Sequence, residues 1–143
     1  MAHNAKTGFT LTEVMVVMVI ISLMAAFALP NYTESVRKAY ERDAINHLTA
    51  IYSANQIYRA QARDFWAGPG ASATDINAAL NLNIVSDRLT FTYTDTAGSD
   101  TFEARATLVE NSVTIFVLRL NEASLSTTNP CCESGSCHIA PAC

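Results

Sequence analysis

The chain has 143 residues and a mass of 15.5 kDa, which fits one domain of ordinary size. Half of its residues are hydrophobic, 15% are charged, and the net charge of -4 comes with nine basic residues that form no cluster along the sequence. This charge pattern offers no electrostatic footprint for nucleic acid, so nucleic acid is not an expected partner.

The N-terminal segment carries the strongest signal in the sequence. Residues 1–8 are short and polar, and 17 of the 21 residues from Phe9 to Leu29 are apolar. A helix of that length extends about 30 Å, which is enough to span a bilayer. A secretory signal cleaved after Ala28 and a simple membrane anchor are two ordinary interpretations. Pro30 and the helical pattern beyond it argue against removal of the segment.

Neither interpretation explains Glu13. A carboxylate inside an apolar span costs on the order of a few kcal/mol in lipid unless it meets a partner. The run Gly8-Phe9-Thr10-Leu11-Thr12-Glu13, followed by the apolar span and by Pro30, resembles the N-terminal signature of type IV pilins and type II secretion pseudopilins. By this resemblance the chain is identified as a member of that family.

The resemblance implies a processing site and an assembly residue. In the family, a membrane aspartyl peptidase (the prepilin peptidase) cuts after the glycine and N-methylates the new terminal residue. Gly8 is then the last leader residue, Phe9 is the methylated mature N-terminus, and Glu13 is the assembly carboxylate. Pro30 stands where family members often carry a helix-bending proline. The implied domains are a leader peptide (1–8), a transmembrane and filament-core helix (9–29) and a globular pilin head (30–143).

The physical chemistry of Phe9 and Glu13 agrees with this role. A free α-amine and an ionised carboxylate at the same membrane depth are each costly alone, and pairing them reduces both costs. If Phe9 of an incoming subunit pairs with Glu13 of a neighbour, one axial stagger of the apolar helices is favoured over the others. The implied partners are further copies of the chain in a helical filament, the bacterial inner membrane before assembly, the prepilin peptidase and the pilus assembly machinery.

Beyond Pro30 the pattern becomes amphipathic and predicts a helix that continues to about Asp64. Residues 65–70, which contain two glycines around a proline, end it. Glu41 and other polar residues lie between the apolar positions and are expected on the solvent face. The apolar positions are Val36, Tyr40, Ala44, Leu48, Ile51, Tyr52 and Tyr58, and the three tyrosines are interpreted as core residues.

The second half of the chain predicts a short helix and a three-stranded antiparallel sheet. Thr74 and Asp75 can cap the short helix, which runs through residues 78–82. Alternating stretches at 88–94, 101–108 and 113–120, with turns at 95–100 and 110–112, predict the strands. The predicted fold class is α+β: the apolar half of the long helix protrudes, the amphipathic half covers the sheet, and a cysteine-rich loop ends the chain.

All four cysteines lie in the last thirteen residues. Two disulfides are the leading interpretation, because a pilin-like head faces an oxidising compartment. Two pairings are open: Cys131 with Cys137 and Cys132 with Cys143, or Cys131 with Cys143 and Cys132 with Cys137. Zinc bound by the thiolates with His138, and haem attached through the C-x4-C-H run that ends at His138, are alternatives. No cofactor or metal is predicted.

Catalysis finds little support in the sequence. His47 is interpreted as a packing or solvated histidine, and Asp95 and Asp100 as turn formers. The sequon that begins at Asn31 is a match that is common by chance. The predicted function is therefore structural: a subunit of a type IV pilus-like extracellular filament that serves adhesion, motility or DNA uptake.

The alternative function is a major pseudopilin of a type II secretion system, in a periplasmic pseudopilus. Pseudopilins of that kind commonly carry an aspartate-containing calcium loop near the C-terminus. The sequence after Leu120 contains no aspartate, and its cysteines favour the pilin.

Overall fold

The computed structural model describes residues 8–68, 70–95, 101–123, 125 and 128–143, and at residues 28–31 it describes the backbone only. The chain divides into two compact units, one ending at Val36 and the other comprising Arg37–Cys143. From here on, the head means this second unit, Arg37–Cys143. The elements in chain order are α1 (Leu11–Ala62), β1 (Ala71–Ser72), α2 (Ala73–Leu80), β2 (Leu89–Asp95), β3 (Phe102–Glu110), β4 (Val113–Asn121) and β5 (Cys131–Gly135).

The strands form one antiparallel sheet of five strands in the order β1-β2-β3-β4-β5. The α+β fold class is confirmed, but the prediction of three strands is wrong. β1 has only two residues, too few for an alternating pattern to be visible. β5 lies in the tail, where glycine, serine and proline indicated a loop. Its backbone nevertheless pairs with β4, because pairing uses N–H and C=O groups that every non-proline residue carries.

Successive side chains of each strand point to opposite faces of the sheet, and the side chains on one face form the core. The buried residues of β3 are Phe102, Ala104, Ala106 and Leu108, as the alternation predicted. Ala104 lies opposite Tyr93 of β2, and Ala106 lies opposite Phe91. Small side chains on β3 therefore lie beside large ones on β2, an alternation that helps the core to pack densely.

The part of α1 that belongs to the head covers this face of the sheet. Ala44, Leu48 and Ile51 are fully buried and share one core cluster with the strand residues. Burying a leucine or isoleucine side chain completely contributes about 1.5–3 kcal/mol. The three tyrosines predicted to be core residues are half-buried against the same cluster. The helix ends at Ala62, two residues before the predicted end.

Helix α2 begins earlier than predicted because its cap is Ser72 rather than Thr74. The Ser72 N–H and hydroxyl donate to Asp75 Oδ2 at 3.0 and 2.7 Å. These two bonds, the hydroxyl first, hold the pKa of Asp75 below its usual range. The helix ends at Leu80, and Asn81 follows in the left-handed conformation with φ of 52°, a common way to end a helix.

Two residues, Asn111 and Ser112, turn the chain from β3 into β4 with φ of 51° and 64°. Left-handed conformations at both central residues define the tight hairpin turn whose twist matches that of the strands. The turn lies where the sequence predicted it. The other predicted turn, at 95–100, falls outside the described residues except for Asp95.

Candidate functional site

The residues predicted to be processed, Gly8 and Phe9, are the first two of the described part of the chain. Gly8 and Phe9 are exposed, and Phe9 exposes 89% of its area. Among the described residues, no atom lies within 4 Å of a Cβ atom added at Gly8. Packing therefore does not require glycine at this position, and any such requirement would come from a partner that binds the segment.

Glu13 caps the start of α1. The Thr10 N–H and hydroxyl donate to Glu13 Oε2 at 2.8 and 2.7 Å, and the Glu13 N–H donates to Thr10 Oγ1 at 3.3 Å. The first N–H groups of a helix lack partners within the helix, and this reciprocal arrangement satisfies two such donors. The sequence indicated a carboxylate awaiting a partner; the structure gives it a local one, which fixes its direction.

The first part of α1 presents apolar side chains on all sides. Every large hydrophobic residue from Leu11 to Phe27 exposes between 48% and 76% of its area. By length and composition α1 can cross a membrane, with a mean hydropathy of 2.3 over its most apolar stretch of 18 residues. A helix that is apolar all round belongs in lipid or among other helices.

Pro30 lies inside α1, and the backbone of the helix continues through it. A proline inside a helix removes one backbone hydrogen bond, and the role of Pro30 as a helix-bending residue stays a prediction. The side chains of Pro30 and of Asn31, where the sequon begins, fall outside the described part of the chain.

Two disulfides, Cys131–Cys143 and Cys132–Cys137, close the C-terminal tail. This is the second of the two pairings that the sequence left open. All four cysteines are bonded, so none is a thiolate that could hold zinc or a thiol that could attach haem. Zinc and haem are therefore not supported by the state of these cysteines.

The last residues of the tail return along β5. The Cys132 N–H donates to the Pro141 carbonyl at 2.6 Å, and the Cys143 N–H donates to the Cys132 carbonyl at 3.0 Å. Cys132 and Ala142 thereby form a parallel bridge. The tail predicted to be an irregular loop is thus a strand followed by a short segment that pairs with it.

Glu41 joins α1 to this tail. The residue is fully buried, so the prediction that it lies on the solvent face is wrong. Its carboxylate accepts three backbone bonds: the His138 N–H reaches Oε2 at 2.8 Å, and the Ile139 and Ala140 N–H groups reach Oε1 at 2.8 and 2.7 Å. A buried carboxylate is costly unless it is hydrogen-bonded, and three consecutive amide donors offset that cost.

The spacing of the helix contained a signal for this burial. Glu41, Ala44, Leu48, Ile51 and Asn55 follow one another at steps of three and four residues, and all five are fully buried. Extending the buried apolar face by one step in each direction reaches the two polar residues. A polar residue in register with a buried face is a candidate for a buried hydrogen-bonded role.

Asn55 makes the second buried polar contact of α1. Its Nδ2 donates to the Tyr93 hydroxyl at 2.6 Å, and its Oδ1 accepts the Trp66 N–H at 3.1 Å. The Tyr93 ring stacks on Phe102, with ring centroids 5.6 Å apart. Burial raises the pKa of Tyr93 well above its usual range, so the hydroxyl stays neutral.

Charged residues join three strands on the outer face of the sheet. Arg105 of β3 donates to both carboxylate oxygens of Glu133 in β5, from Nε at 2.7 Å and from Nη2 at 3.2 Å. The Arg105 bond lowers the pKa of Glu133 and raises the pKa of Arg105. Glu103 also contacts Arg105 at 2.7 Å and Arg119 of β4 at 3.6 Å.

His47 packs rather than forming part of a reactive group. Its Nε2 lies 3.5 Å from Asp43 Oδ1, and its ring meets Phe91 edge-on with centroids 5.4 Å apart. Across the described ranges, no group of three or more histidine, cysteine, aspartate or glutamate side chains is placed to hold a metal ion.

Comparisons with known proteins agree on the N-terminal segment. Residues 3–29 match the family described as "Prokaryotic N-terminal methylation motif". The chain is 41% identical over 54 residues to "Type II secretion system core protein G" of Vibrio cholerae, covering 38% of this chain and 37% of that protein. It is 32% identical over 74 residues to "Fimbrial protein" of Moraxella nonliquefaciens, covering 52% and 48%.

A third relative is "Type IV major pilin protein PilA" of Myxococcus xanthus, 37% identical over 51 residues, with 36% of this chain and 23% of that protein covered. The matched segments span less than half the length of each of these three relatives. No solved structure matches the chain significantly.

Proposed function

We propose that the chain is a structural subunit of a type IV pilus-like extracellular filament, because its N-terminal segment matches the methylation motif and is similar to pilins and to type II secretion core proteins. The observation that carries the proposal is the exposed apolar first part of α1 with Glu13 at its start. This surface needs lipid or other helices to cover it. Neighbouring copies of the same helix supply that cover in a filament.

In the proposed precursor, the prepilin peptidase cuts between Gly8 and Phe9 and methylates the new amine. The open surroundings of Gly8 leave the bond accessible. Before assembly the chain is held in the inner membrane by α1, and the head lies on the side away from the cytoplasm, where disulfides persist. The assembly machinery then moves it from the membrane into the filament.

Assembly in this proposal uses the Phe9 amine of an incoming subunit and Glu13 of a neighbour. Thr10 holds Glu13 through Oε2, which leaves Oε1 for the amine. An ion pair at this depth is strong only if its geometry is fixed in advance. The cap formed with Thr10 gives the carboxylate a fixed direction, so one stagger of neighbouring helices is favoured over the rest.

The test is to shear surface filaments from cells that produce the chain, image them and identify their main component by mass spectrometry. The proposal expects this chain, starting at Phe9, as that component. Filaments that lack the chain, or a chain found only as membrane monomer, would contradict it. Cells that produce the Glu13→Val variant are the matched control, because the variant keeps the apolar helix.

A second candidate function is a pseudopilin of a type II secretion system. It is favoured by the 41% identity of the matched segment to a protein named as a core component of that system. Deletion of the gene separates the two candidates. Loss of secreted enzymes without loss of surface filaments would favour the pseudopilin, and the converse would favour the pilin.

A further inference from the structure

The structure contains one of the two pairings that the sequence left open for the four cysteines, and some feature of the fold must favour it over the other. The observed bridges join cysteines that are 12 and 5 residues apart, whereas the exchanged pairing would join cysteines 11 and 6 residues apart. In a flexible chain, the probability that two residues meet falls with the three-halves power of their separation. The product of the two probabilities is therefore only about 1.2-fold higher for the observed pairing than for the exchanged one. Chain statistics therefore do not select the observed pairing over the exchanged one.

The folded contacts of the tail must make the selection. Successive side chains of a strand point to opposite faces, and in β5 Cys131 is buried while Cys132 is half-buried. The strand thus fixes where one sulfur of each bridge lies. What remains is to fix where Cys137 and Cys143 lie relative to β5.

The Glu41 contact fixes that second half of the geometry. The three amides bound by Glu41 belong to residues 138–140, which follow Cys137 directly and precede Cys143 by three residues. Glu41 lies on α1, 97 to 99 residues earlier in the chain. Seating 138–140 on this carboxylate places Cys137 at one end of a held segment and directs Cys143 back towards Cys131.

We propose that Glu41 is the positioning residue that selects the Cys131–Cys143 and Cys132–Cys137 pairing during oxidative folding. The carboxylate holds residues 138–140, and the held segment presents Cys137 to Cys132 and Cys143 to Cys131. Each bridge forms when two thiols lose two protons and two electrons to a disulfide oxidant, which becomes two thiols. Exchange between pairings needs no net oxidant, because one thiolate displaces another at a sulfur atom.

A three-cysteine background gives a direct readout of the selection. In the full chain with Cys131→Ser, held in detergent micelles, one bridge forms and one thiol is left over. Incubation in a glutathione buffer lets the bridges exchange to equilibrium. The free thiol is then alkylated with a light reagent, the bridge is reduced, and its cysteines are alkylated with a heavy one. Fragmentation of the peptide shows which cysteine was free: Cys143 beside a Cys132–Cys137 bridge, Cys137 beside Cys132–Cys143, and Cys132 beside Cys137–Cys143.

In this background we expect the light label on Cys143, which reports the native Cys132–Cys137 bridge. The separations of 5 and 11 residues alone favour this bridge over Cys132–Cys143 by about threefold, so the test is the change in the label ratio between variants. Glu41→Ala should raise the ratio of label on Cys137 to label on Cys143 by at least about tenfold. That is the factor that loss of one hydrogen bond to a charged group supplies. Glu41→Gln, which keeps one acceptor oxygen, should give an intermediate ratio.

Two variants serve as matched controls. Asp43→Asn removes a carboxylate that is 48% exposed on the same helix, and Leu48→Ala removes buried packing from that helix without touching the tail amides. Both should leave the label on Cys143. Far-ultraviolet circular dichroism establishes that each variant is folded before its ratio is compared.

Three results would overturn the proposal. An unchanged ratio in folded Glu41→Ala would show that β5 alone selects the pairing. An equal rise in Leu48→Ala would show that the pairing follows overall stability. Failure of both Glu41 variants to fold, while Leu48→Ala folds, would show that the carboxylate is needed for the whole head rather than for the pairing of the tail.

Discussion

Tyr93→Phe isolates one hydrogen bond at the centre of the head. The Tyr93 hydroxyl accepts from Asn55 Nδ2 at 2.6 Å, and both residues are fully buried. Phenylalanine keeps the ring that stacks on Phe102 and removes only the oxygen. The Trp66 N–H keeps its own bond to Asn55 Oδ1, so the rest of the contact stays in place.

The expected cost follows from the donor that is left behind. A buried donor without an acceptor costs about 1–3 kcal/mol. For a domain of about 100 residues, each kcal/mol lowers Tm by about 4–8 °C, so Tm of the variant should fall by at least about 4 °C. Because burial keeps the Tyr93 hydroxyl neutral by raising its pKa, the loss should be the same from pH 6 to pH 9, a range well below the usual tyrosine pKa of about 10.

Thermal unfolding followed by near-ultraviolet circular dichroism measures this loss, because the aromatic signal reports packing in the head. Tyr58→Phe is the matched control: Tyr58 is half-buried on α1, and no bond to its hydroxyl occurs within the described ranges. A double-mutant cycle with Asn55→Ala should give a coupling of about 1 kcal/mol or more between Asn55 and Tyr93. A Tyr93→Phe variant that melts with the wild type, or a coupling near zero, would refute the reasoning.

Four further predictions concern processing, assembly, the tail and pH. Gly8→Leu should leave the head's Tm unchanged, because Gly8 has open surroundings, and should abolish maturation; intact mass would then show uncut chains instead of chains that begin at Phe9. Glu13→Val should accumulate as membrane monomer with few filaments, and normal filament yield on electron micrographs would contradict charge pairing. Reduction of both disulfides should destabilise the head by up to about 5 kcal/mol in the chain-entropy model, with proteolytic cuts after Leu120 detected by mass spectrometry while the helical filament core stays assembled. Because the Arg105 bond lowers the pKa of Glu133, its contribution should be present above the usual glutamate pKa and be lost as pH falls through the lowered value; Tm of wild type and Glu133→Gln should therefore converge in acid.

The sequence predicted the elements whose side chains repeat with a clear period. The apolar alternation of β2, β3 and β4 and the three-and-four spacing of α1 both come from one face being buried, so pattern and structure share a cause. β5 was missed because its strand is formed by backbone pairing with β4 and by the tail's own bonds. Neither of these depends on the side-chain types that indicate strands.

The residues of the candidate site also fall into those that the sequence could identify and those that it could not. Gly8, Phe9 and Glu13 could be singled out because their spacing is a local motif, and their proposed roles depend on partners rather than on the fold. Glu41 and its tail amides could not be paired from sequence, because they are almost one hundred residues apart. The pairing of the cysteines stayed open for a different reason: the chain separations in the two possible pairings are nearly equal.

The segment that returns along β5 also bears on solubility. An edge strand with unpaired N–H and C=O groups can pair with a strand from another molecule. Here the Cys132 N–H and C=O are both occupied by the chain's own last residues, and the Cys131–Cys143 disulfide holds that cover in place. Where many heads stand close together, at a membrane or along a polymer, this cover removes one backbone donor and one acceptor with which β5 could pair with a neighbouring sheet.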